Sequence, residues 1–244
     1  MDSISASYDI FVCGGSRHFR SLKDLLPKLY SAGRVHLASI TLADSEIEEL
    51  TPYFDVLHKP QHAADPYLNF QLFCIREVNR LAQAPYFIKM DADTYLEEDW
   101  VEYVRPVISK HEQVVLFGPV EGRHRINVEL SGLSVRQKLG ADVKVANGRK
   151  VIGGFYVANT RFFKQHDRFM KNLHRFLFCS GDGASREDAA YDAVEHPVVL
   201  RMDTRGGRLK SSEDTLRSLV VNAIAGPEGL LILNSEGRVV ITLN

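Results

Sequence analysis

Cysteine is scarce in this chain of 244 residues, and the three that occur, Cys13, Cys74 and Cys179, lack the spacing of metal ligands. A small, odd number of cysteines in apolar surroundings argues against a disulfide framework and indicates a reducing compartment. We therefore expect free, buried thiols.

An excess of charge of one sign is also missing. Thirty Lys and Arg against 31 Asp and Glu leave a formal net charge of −1. Such a balance gives no global basic field, so we expect no nucleic-acid partner and no electrostatic adsorption to an anionic membrane. The 45% hydrophobic and 25% charged content is that of an ordinary globular protein.

Long hydrophobic runs are missing as well. No apolar run approaches the roughly 20 residues that span a bilayer, and the opening MDSISASYD has no apolar signal-peptide core. We expect a cytoplasmic protein, either free or peripheral at the inner face of the membrane. Internal repeats and low-complexity tracts are lacking too, and this length fits one large or two small domains.

Strand and helix signals alternate over the first 93 residues. Apolar runs at 8–15, 34–41, 54–60 and 85–93 are separated by segments with helical spacing at 18–33, 44–54 and 69–84. Connections of this length predict right-handed crossovers, and hence an α/β fold with a mainly parallel central sheet covered by helices on both faces.

The second half of the chain is patterned less regularly. Residues 121–149 lack clear periodicity, and residues 150–160 predict a strand interrupted by Gly153 and Gly154. The remaining predicted elements are helices at 96–110, 161–178, 185–195 and 211–224 and strands at 113–120 and 197–203. Residues 229–244 predict a β-hairpin around a polar turn. We expect one domain over 1–225 and a hairpin extension over 226–244.

Two carboxylates stand at the end of the fourth predicted strand, in FIKMDADTYLEEDW. Ligands of open α/β sheets bind beyond the carboxyl ends of the strands. A divalent cation with a phosphorylated ligand would stabilise Asp91 and Asp93 there. One alternative is that Asp93 only caps the following helix. An aspartyl-nucleophile phosphatase is disfavoured, because Tyr95 stands where such an enzyme needs Thr or Val.

Three motifs in order carry a resemblance to a known family: DAD at 91–93, GGFYVANTR at 153–161 and SREDAAYDAV at 185–194. Over about residues 8–195 the chain resembles the GT-A glycosyltransferases, in particular the inverting, family-two-like enzymes that use nucleotide-diphosphate sugars. The family's usual turn after the first strand is replaced here by CGGSRHF. The resemblance implies a Rossmann-like GT-A fold, with a donor half at about 1–120 and an acceptor half at about 121–225.

The resemblance also implies roles for the DxD and Gly-Gly motifs. Asp93 would coordinate Mn²⁺ or Mg²⁺, and Asp91 would act through the ribose or a metal-bound water, with Ala92 between them in the nucleotide site. Gly153 and Gly154 would let the backbone approach the donor sugar closely.

The acidic pair of the third motif would supply the base. Asp188 would deprotonate the acceptor hydroxyl, with Glu187 positioning it, and a single base implies inversion. Alternatively, Ser185 and Asp188 form a capping box at a helix start. A second pair, Glu213-Asp214, competes for the role, but its distance from the Gly-Gly strand matches the family less well.

Further donor contacts are expected around the nucleotide. The loop after the first strand could hold phosphate through backbone N–H groups, and the residues assigned to it are Cys13, Gly14, Gly15 and Arg17. By its position after the second strand, Asp44 resembles the acidic residue with which the family recognises the nucleobase of the donor. Arg76 stands where relatives have a polar donor-facing residue and could pair with a phosphate.

Other possibilities stay open at this point. GGSR is also reminiscent of nucleotidyltransferases, and a non-catalytic nucleotide- or sugar-binding GT-A domain is a third possibility. His196 and Asp203 are candidates for a third metal ligand. The basic loop 204–210 could close over the diphosphate. Seven Lys and Arg against three acids at 121–150 favour an anionic acceptor, but the sequence names neither the hydroxyl-bearing acceptor nor the oligomeric state.

Overall fold

The computed structural model describes residues 8–63, 66–96, 100–110, 113–118, 125–151, 153–178, 199–202, 213–226, 229–232 and 241–243. The strands are β1 (Tyr8–Cys13), β2 (Gly33–Ala38), β3 (Val56–His58), β4 (Tyr86–Asp91), β5 (Thr94–Leu96), β6 (Leu116–Gly118), β7 (Arg125–Leu130), β8 (Val143–Arg149), β9 (Phe155–Asn159), β10 (Val199–Met202), β11 (Leu230–Ile232) and β12 (Ile241–Leu243). The helices are α1 (Phe19–Leu29), α2 (Asp44–Leu50), α3 (Pro66–Arg76), α4 (Val78–Leu81), α5 (Trp100–Lys110), α6 (Leu133–Leu139), α7 (Thr160–Gln165), α8 (Asp167–Phe178) and α9 (Glu213–Ile224). No helix within these ranges is long and apolar enough to cross a bilayer.

The central sheet has seven strands in the order β11-β6-β9-β4-β1-β2-β3. Strands β1 to β4 are parallel, and β11 is parallel to β6. Strand β9 runs antiparallel to both of its neighbours, β4 and β6. The sheet is thus mainly parallel, and the predicted α/β fold class is confirmed.

Alternating side chains of the central strands divide the core into two layers. On one face, Ile10 and Val12 of β1 pack with α1, α2 and α5. On the other, Phe11 and Cys13 pack with α3, α4, α7, α8 and α9. The second layer is called the α9 face below. Burial of each large apolar side chain stabilises such layers by about 1.5–3 kcal/mol.

A second, three-stranded sheet forms from the segment that lacked a clear pattern. Its order is β10-β7-β8, with both pairings antiparallel. Alternation is present locally, because Ile126, Val128 and Leu130 are buried along β7. A register shift between Ile126 and Val128 interrupts the β7–β8 pairing. Short strands with an irregular register give too few periods for sequence detection.

The predicted C-terminal hairpin is wrong. Strand β11 pairs in parallel with β6 at the edge of the central sheet, and β12 pairs antiparallel with β5. The two strands join different sheets because each finds an open backbone edge elsewhere in the fold. Residues 230–232 therefore belong to the central sheet and not to a separate extension.

Candidate functional site

A cleft of about 630 Å³ opens at the carboxyl ends of β1 and β4. The two strands are parallel neighbours, and Cys13, the last residue of β1, lies opposite Asp91, the last residue of β4. Strand β2 lies on one side of β1 and β4 lies on the other, so the order in which the strands are added to the sheet reverses at β1. This reversal is the switch point at which open α/β sheets bind ligands. The cleft is lined by Cys13, Gly14, Gly15, Arg17, His18, Thr41, Pro66, Phe70, Gln71, Cys74, Lys89, Asp91, Asp93, Lys150, Gly153, Gly154, Glu213 and Asp214.

Most of the predicted donor-site residues meet in this cleft. They are Cys13, Gly14, Gly15, Arg17, Asp91, Asp93, Gly153 and Gly154. Ala92 is buried behind the lining, where its backbone N–H donates to the Cys13 carbonyl at 3.0 Å. The structure thus brings the β1 loop, the DxD motif and the Gly-Gly turn to one place.

Two predicted donor residues do not reach the cleft. Asp44 is exposed at the start of α2, and Thr41 lines the cleft in its place. Arg76 ends α3, two residues beyond the cleft-lining Cys74. Two residues correspond to about 200° around a helix, so Arg76 faces away from the side that lines the cleft.

The DxD motif and the Gly-Gly turn are joined by backbone hydrogen bonds. Because β9 is antiparallel to β4 with Phe155 opposite Met90, the turn that precedes β9 lies beside the end of β4. The Gly154 carbonyl accepts from the Asp91 N–H at 2.9 Å and from Thr94 Oγ1 at 2.8 Å. The turn therefore fixes the position of the first carboxylate.

Two glycines of the cleft have close neighbours. A Cβ atom on Gly14 would lie 2.5 Å from Ala92 Cβ, closer than real Cβ atoms approach. A Cβ atom on Gly153 would lie 3.1 Å from Asp214 Cγ. Glycine at position 14 thus permits the contact between the β1 loop and the DxD loop, and glycine at 153 makes room for Asp214.

Lys89 lies inside β4 on the α9 face, and its side chain is only 5% exposed. Its ammonium group contacts Asp91 Oδ1 at 2.7 Å, Glu213 Oε1 at 2.9 Å and the Gly153 carbonyl at 2.6 Å. Burial lowers the pKa of Lys89, but the two carboxylates raise it and leave it well above its ordinary value. The side chain is therefore a permanent cation.

The Glu213-Asp214 pair occupies the wall of the cleft opposite Asp91. It begins α9, where the Glu213 N–H donates to Gln71 Oε1 at 3.2 Å. Burial raises the pKa of the Glu213 carboxyl, and the charge of Lys89 opposes that shift. Lys150 Nζ lies 3.1 Å from Asp214 Oδ2. Glu187 and Asp188, the pair favoured by the sequence, lie outside the described residues, as do His196, Asp203 and the loop 204–210.

A buried arginine anchors α9 one turn after Glu213. The guanidinium of Arg217 donates to Tyr156 OH at 2.8 Å, to Asn79 Oδ1 at 2.8 Å and to the Cys74 carbonyl at 2.9 Å. The rings of Phe87, Tyr156 and Phe163 surround it at 4.7–5.5 Å. Burial raises the pKa of Tyr156 well above its ordinary value, although Arg217 opposes the shift, so the phenol stays protonated. These contacts fix the start of α9 against the sheet.

Cys13 and Cys74 are free thiols, as expected, with their sulfur atoms 3.7 Å apart in the cleft wall. The contact with Cys13 and burial together raise the pKa of Cys74 well above its ordinary value. A thiol held protonated is a poor nucleophile, so Cys74 contributes packing rather than reactivity.

The carboxylates of the cleft supply only part of a site for a divalent cation. Within the described ranges, no group of three or more His, Cys, Asp or Glu side chains is placed to hold a metal ion. Mg²⁺ is commonly held by one or two carboxylates together with substrate phosphates. Asp91 and Asp93 both line the cleft and fit a cation that enters with a diphosphate. They do not form a complete site by themselves.

Several residues that line the cleft were not predicted from the sequence. The sequence does contain a signal for Lys89. A lysine within the apolar run FIKMD is rarely buried without a partner, so its position indicates a buried ion pair. Gln71 and Lys150 carried none, because single polar residues on a helix or beside a strand usually face solvent. The Glu213-Asp214 pair was recognised as a competitor, and the fold brings it to the cleft.

Comparison with known proteins adds structures but no sequence family. No family model matches the chain, and no curated protein matches it. Mouse xyloside xylosyltransferase 1 superimposes with a TM-score of 0.48 at 10% identity, over 93% of this chain and 85% of that one. S. aureus TarS 1-349 gives a TM-score of 0.42 at 12% identity, over 76% and 54%. The glycosyltransferase GlyE of Streptococcus pneumoniae TIGR4 gives 0.42 at 9%, over 76% and 43%. The chain thus spans about half the length of TarS 1-349. Because these TM-scores are below 0.5, the similarities carry no argument about function.

Proposed function

We propose that this chain is a glycosyltransferase that moves a sugar from a nucleotide-diphosphate-sugar donor to an acceptor hydroxyl with inversion. The observation that carries the proposal is the meeting of two acidic pairs at the switch point of the sheet. Asp91 and Asp93 come from the end of β4, and Glu213 and Asp214 come from the start of α9. Asp91 and Asp93 suit the diphosphate part of the donor, and Glu213 and Asp214 suit removal of a proton from the acceptor hydroxyl.

The donor would lie over the adjoining β1 loop and DxD motif. Arg17, Gly14 and Gly15 line the cleft together with Asp91 and Asp93. Arg17 suits recognition of phosphate oxygens. Mn²⁺ or Mg²⁺ bound by Asp93, with Asp91, would neutralise the charge that develops on the departing diphosphate.

Asp214 is our candidate for the base. It would accept the proton of the acceptor hydroxyl while the oxygen forms its bond to the anomeric carbon. The bond between that carbon and the diphosphate oxygen breaks, and the nucleoside diphosphate leaves with the electron pair. Attack opposite the leaving group inverts the anomeric carbon. Both carboxylates are buried and ion-paired, but the partner of Glu213 is Lys89, which is 5% exposed, whereas the partner of Asp214 is Lys150, which is 20% exposed and closer to solvent. Glu213 is therefore the less suited of the two. Asp188 remains the alternative base.

The first test is thermal stabilisation of the purified protein by nucleoside diphosphates and nucleotide sugars, with and without Mn²⁺. We expect one nucleoside to raise Tm in a metal-dependent manner, because ligand binding to the native state stabilises it. Asp93→Asn should abolish the metal dependence. Absence of a Tm shift with every nucleotide would contradict the proposal.

A nucleotidyltransferase is the second candidate, favoured by Gly14, Gly15 and Arg17 in the cleft wall. Such an enzyme would make nucleotide sugar and pyrophosphate from sugar phosphate and nucleoside triphosphate. Pyrophosphate release with those substrates would select this function. A non-catalytic domain would bind donor without hydrolysing or transferring it.

A further inference from the structure

We propose that the ammonium group of Lys89 is a built-in cation of the cleft, which holds the Asp91 and Glu213 carboxylates together in place of a metal ion. The inference deepens the proposed function and rests on it only in treating the cleft as the donor site. It assigns to Lys89 a positioning role that links the two walls.

The geometry is that of a small cation among oxygen ligands. Asp91 Oδ1, Glu213 Oε1 and the Gly153 carbonyl lie 2.6–2.9 Å from Lys89 Nζ. They come from three segments: the end of β4, the start of α9 and the turn before β9. The ammonium group donates hydrogen bonds to Asp91 Oδ1 and to the Gly153 carbonyl, and its contact with Glu213 Oε1 is an ion pair.

Charge balance explains why the lysine is needed there. The side chains of Lys89 and Glu213 are 5% and 4% exposed. Within the described part of the chain, Glu213 Oε1 has no hydrogen-bond partner of suitable geometry, so the ion pair with Lys89 balances its charge. Without the ammonium group, two carboxylates would face each other with little water around one of them, which is strongly unfavourable.

The same oxygen atoms would suit a hard divalent cation if the lysine were removed. Carboxylate and carbonyl oxygens are the ligands that such ions prefer. While Lys89 is present, its charge repels a second cation from this position. The protein without nucleotide should therefore bind Mn²⁺ weakly, and any tight metal binding should require the diphosphate.

The decisive experiment measures Mn²⁺ binding to nucleotide-free protein, by electron paramagnetic resonance of free Mn²⁺ and by the Mn²⁺-induced change in Tm. Lys89→Met should lower Tm and bind Mn²⁺ at least about tenfold more tightly than the unmodified protein, because the substitution removes the charge that repels Mn²⁺ from these oxygen atoms. Lys23→Met is the matched control. Lys23 pairs with Glu49 on the surface with its side chain 47% exposed, so its loss should leave Mn²⁺ affinity unchanged.

The double variant Lys89→Met/Glu213→Gln separates charge balance from simple packing. It should recover part of the Tm lost in Lys89→Met and should lose the gained Mn²⁺ affinity. Where Lys89→Met alone does not fold, folding of the double variant supports the proposal, and failure of both variants contradicts it. Equal Mn²⁺ affinity of the unmodified protein and Lys89→Met, or of the single and double variants, would also overturn it.

These measurements use neither nucleotide nor sugar. Failure of the Lys89 variants to behave as expected leaves glycosyl transfer standing. Absence of any nucleotide response in the unmodified protein counts against the proposed function alone.

Discussion

Arg217 and Asn79 are joined by a hydrogen bond of 2.8 Å from Nη1 to Oδ1, which ties α9 to α4 across the buried α9 face. The Asn79 side chain also donates to Asp167 Oδ1 at 2.9 Å, at the start of α8. The amide thus connects three helices around a guanidinium that is fully buried. The position of the acidic pair at the start of α9 depends on this anchor.

Replacing the anchor should destabilise the protein strongly. Arg217→Met keeps apolar volume among the aromatic rings but leaves the Asn79 amide oxygen and the Cys74 carbonyl without their donors. We expect a loss of about 3–5 kcal/mol in the free energy of unfolding, measured by urea denaturation. Arg80→Met is the control, because its side chain is 69% exposed and pairs with Glu77 in the same turn. It should cost less than about 0.5 kcal/mol. Similar losses for both variants would show that the buried contacts contribute little.

Close packing of Gly14 against Ala92 gives a second prediction. Gly14→Ala should destabilise the fold by about 1–3 kcal/mol, because its Cβ would overlap with that of Ala92. Ala92→Gly removes the opposing Cβ, so the double variant should recover most of the loss. A double-mutant cycle by thermal denaturation measures the coupling. Additive effects of the two substitutions would mean that the overlap is relieved elsewhere.

The two candidate bases can be separated by kinetics. Asp214→Asn should lower kcat by about 10²–10⁴ and leave the donor-induced Tm shift intact, because the amide has the same shape but accepts no proton. Asp188→Asn is the matched variant of the other pair and should retain most activity. A large kcat loss in Asp188→Asn with an active Asp214→Asn would assign the base to the earlier pair.

A row of polar side chains across three strands predicts a pH dependence of stability. His36 Nε2 lies 3.2 Å from Asp9 Oδ1, and His36 Nδ1 lies 3.0 Å from His58 Nε2. The carboxylate only accepts, so His36 donates to Asp9 through Nε2. Burial, reinforced by the charge of His36, lowers the pKa of His58.

The sign of this effect follows from proton linkage. Below the ordinary histidine pKa of about 6.5, the unfolded chain binds a proton that folded His58 resists. The free energy of unfolding should therefore fall as the pH drops from about 6.5 toward the lowered value. His58→Gln keeps a donor to His36 without titrating, so its stability should fall less between pH 8 and about pH 5. Urea midpoints at the two pH values measure the difference. Equal losses in both proteins would contradict the assignment.

The loss of stability expected from protonation of Asp9 occurs in a separate, more acidic pH range. Burial raises the pKa of Asp9, but its hydrogen bonds with His36 and the N–H groups of Gln83 and Ala84 outweigh burial and lower it. Its contribution to stability is present above the ordinary carboxyl range and is lost as the pH falls through its lowered pKa. The comparison near pH 5 thus reports His58 and not Asp9.

The sequence by itself determined the α/β class and most of the residues that line the cleft at the ends of β1 and β4. Apolar runs that end in glycine or aspartate are local signals, and parallel strands bring such ends to one edge. Gly14 and Asp91 could therefore be placed together from the sequence. Gly153 precedes the antiparallel strand β9, so only the resemblance to the GT-A glycosyltransferases placed it there. The sequence could not show that Arg76 lies away from the cleft lining, because the side of a helix that faces a cleft depends on how the helix packs.

Only the tertiary structure decided what stands opposite Asp91. Glu213 contacts Lys89 through long-range packing, because the Arg217 anchor holds α9 against the sheet. No local sequence pattern predicts this contact. The pairing partners of β11 and β12 likewise depended on which strand edges had unpaired backbone groups in the folded protein. Hydrophobic periodicity specifies which residues are buried, but the pairing of buried charges depends on distances that exist only after the sheet and its helices have assembled.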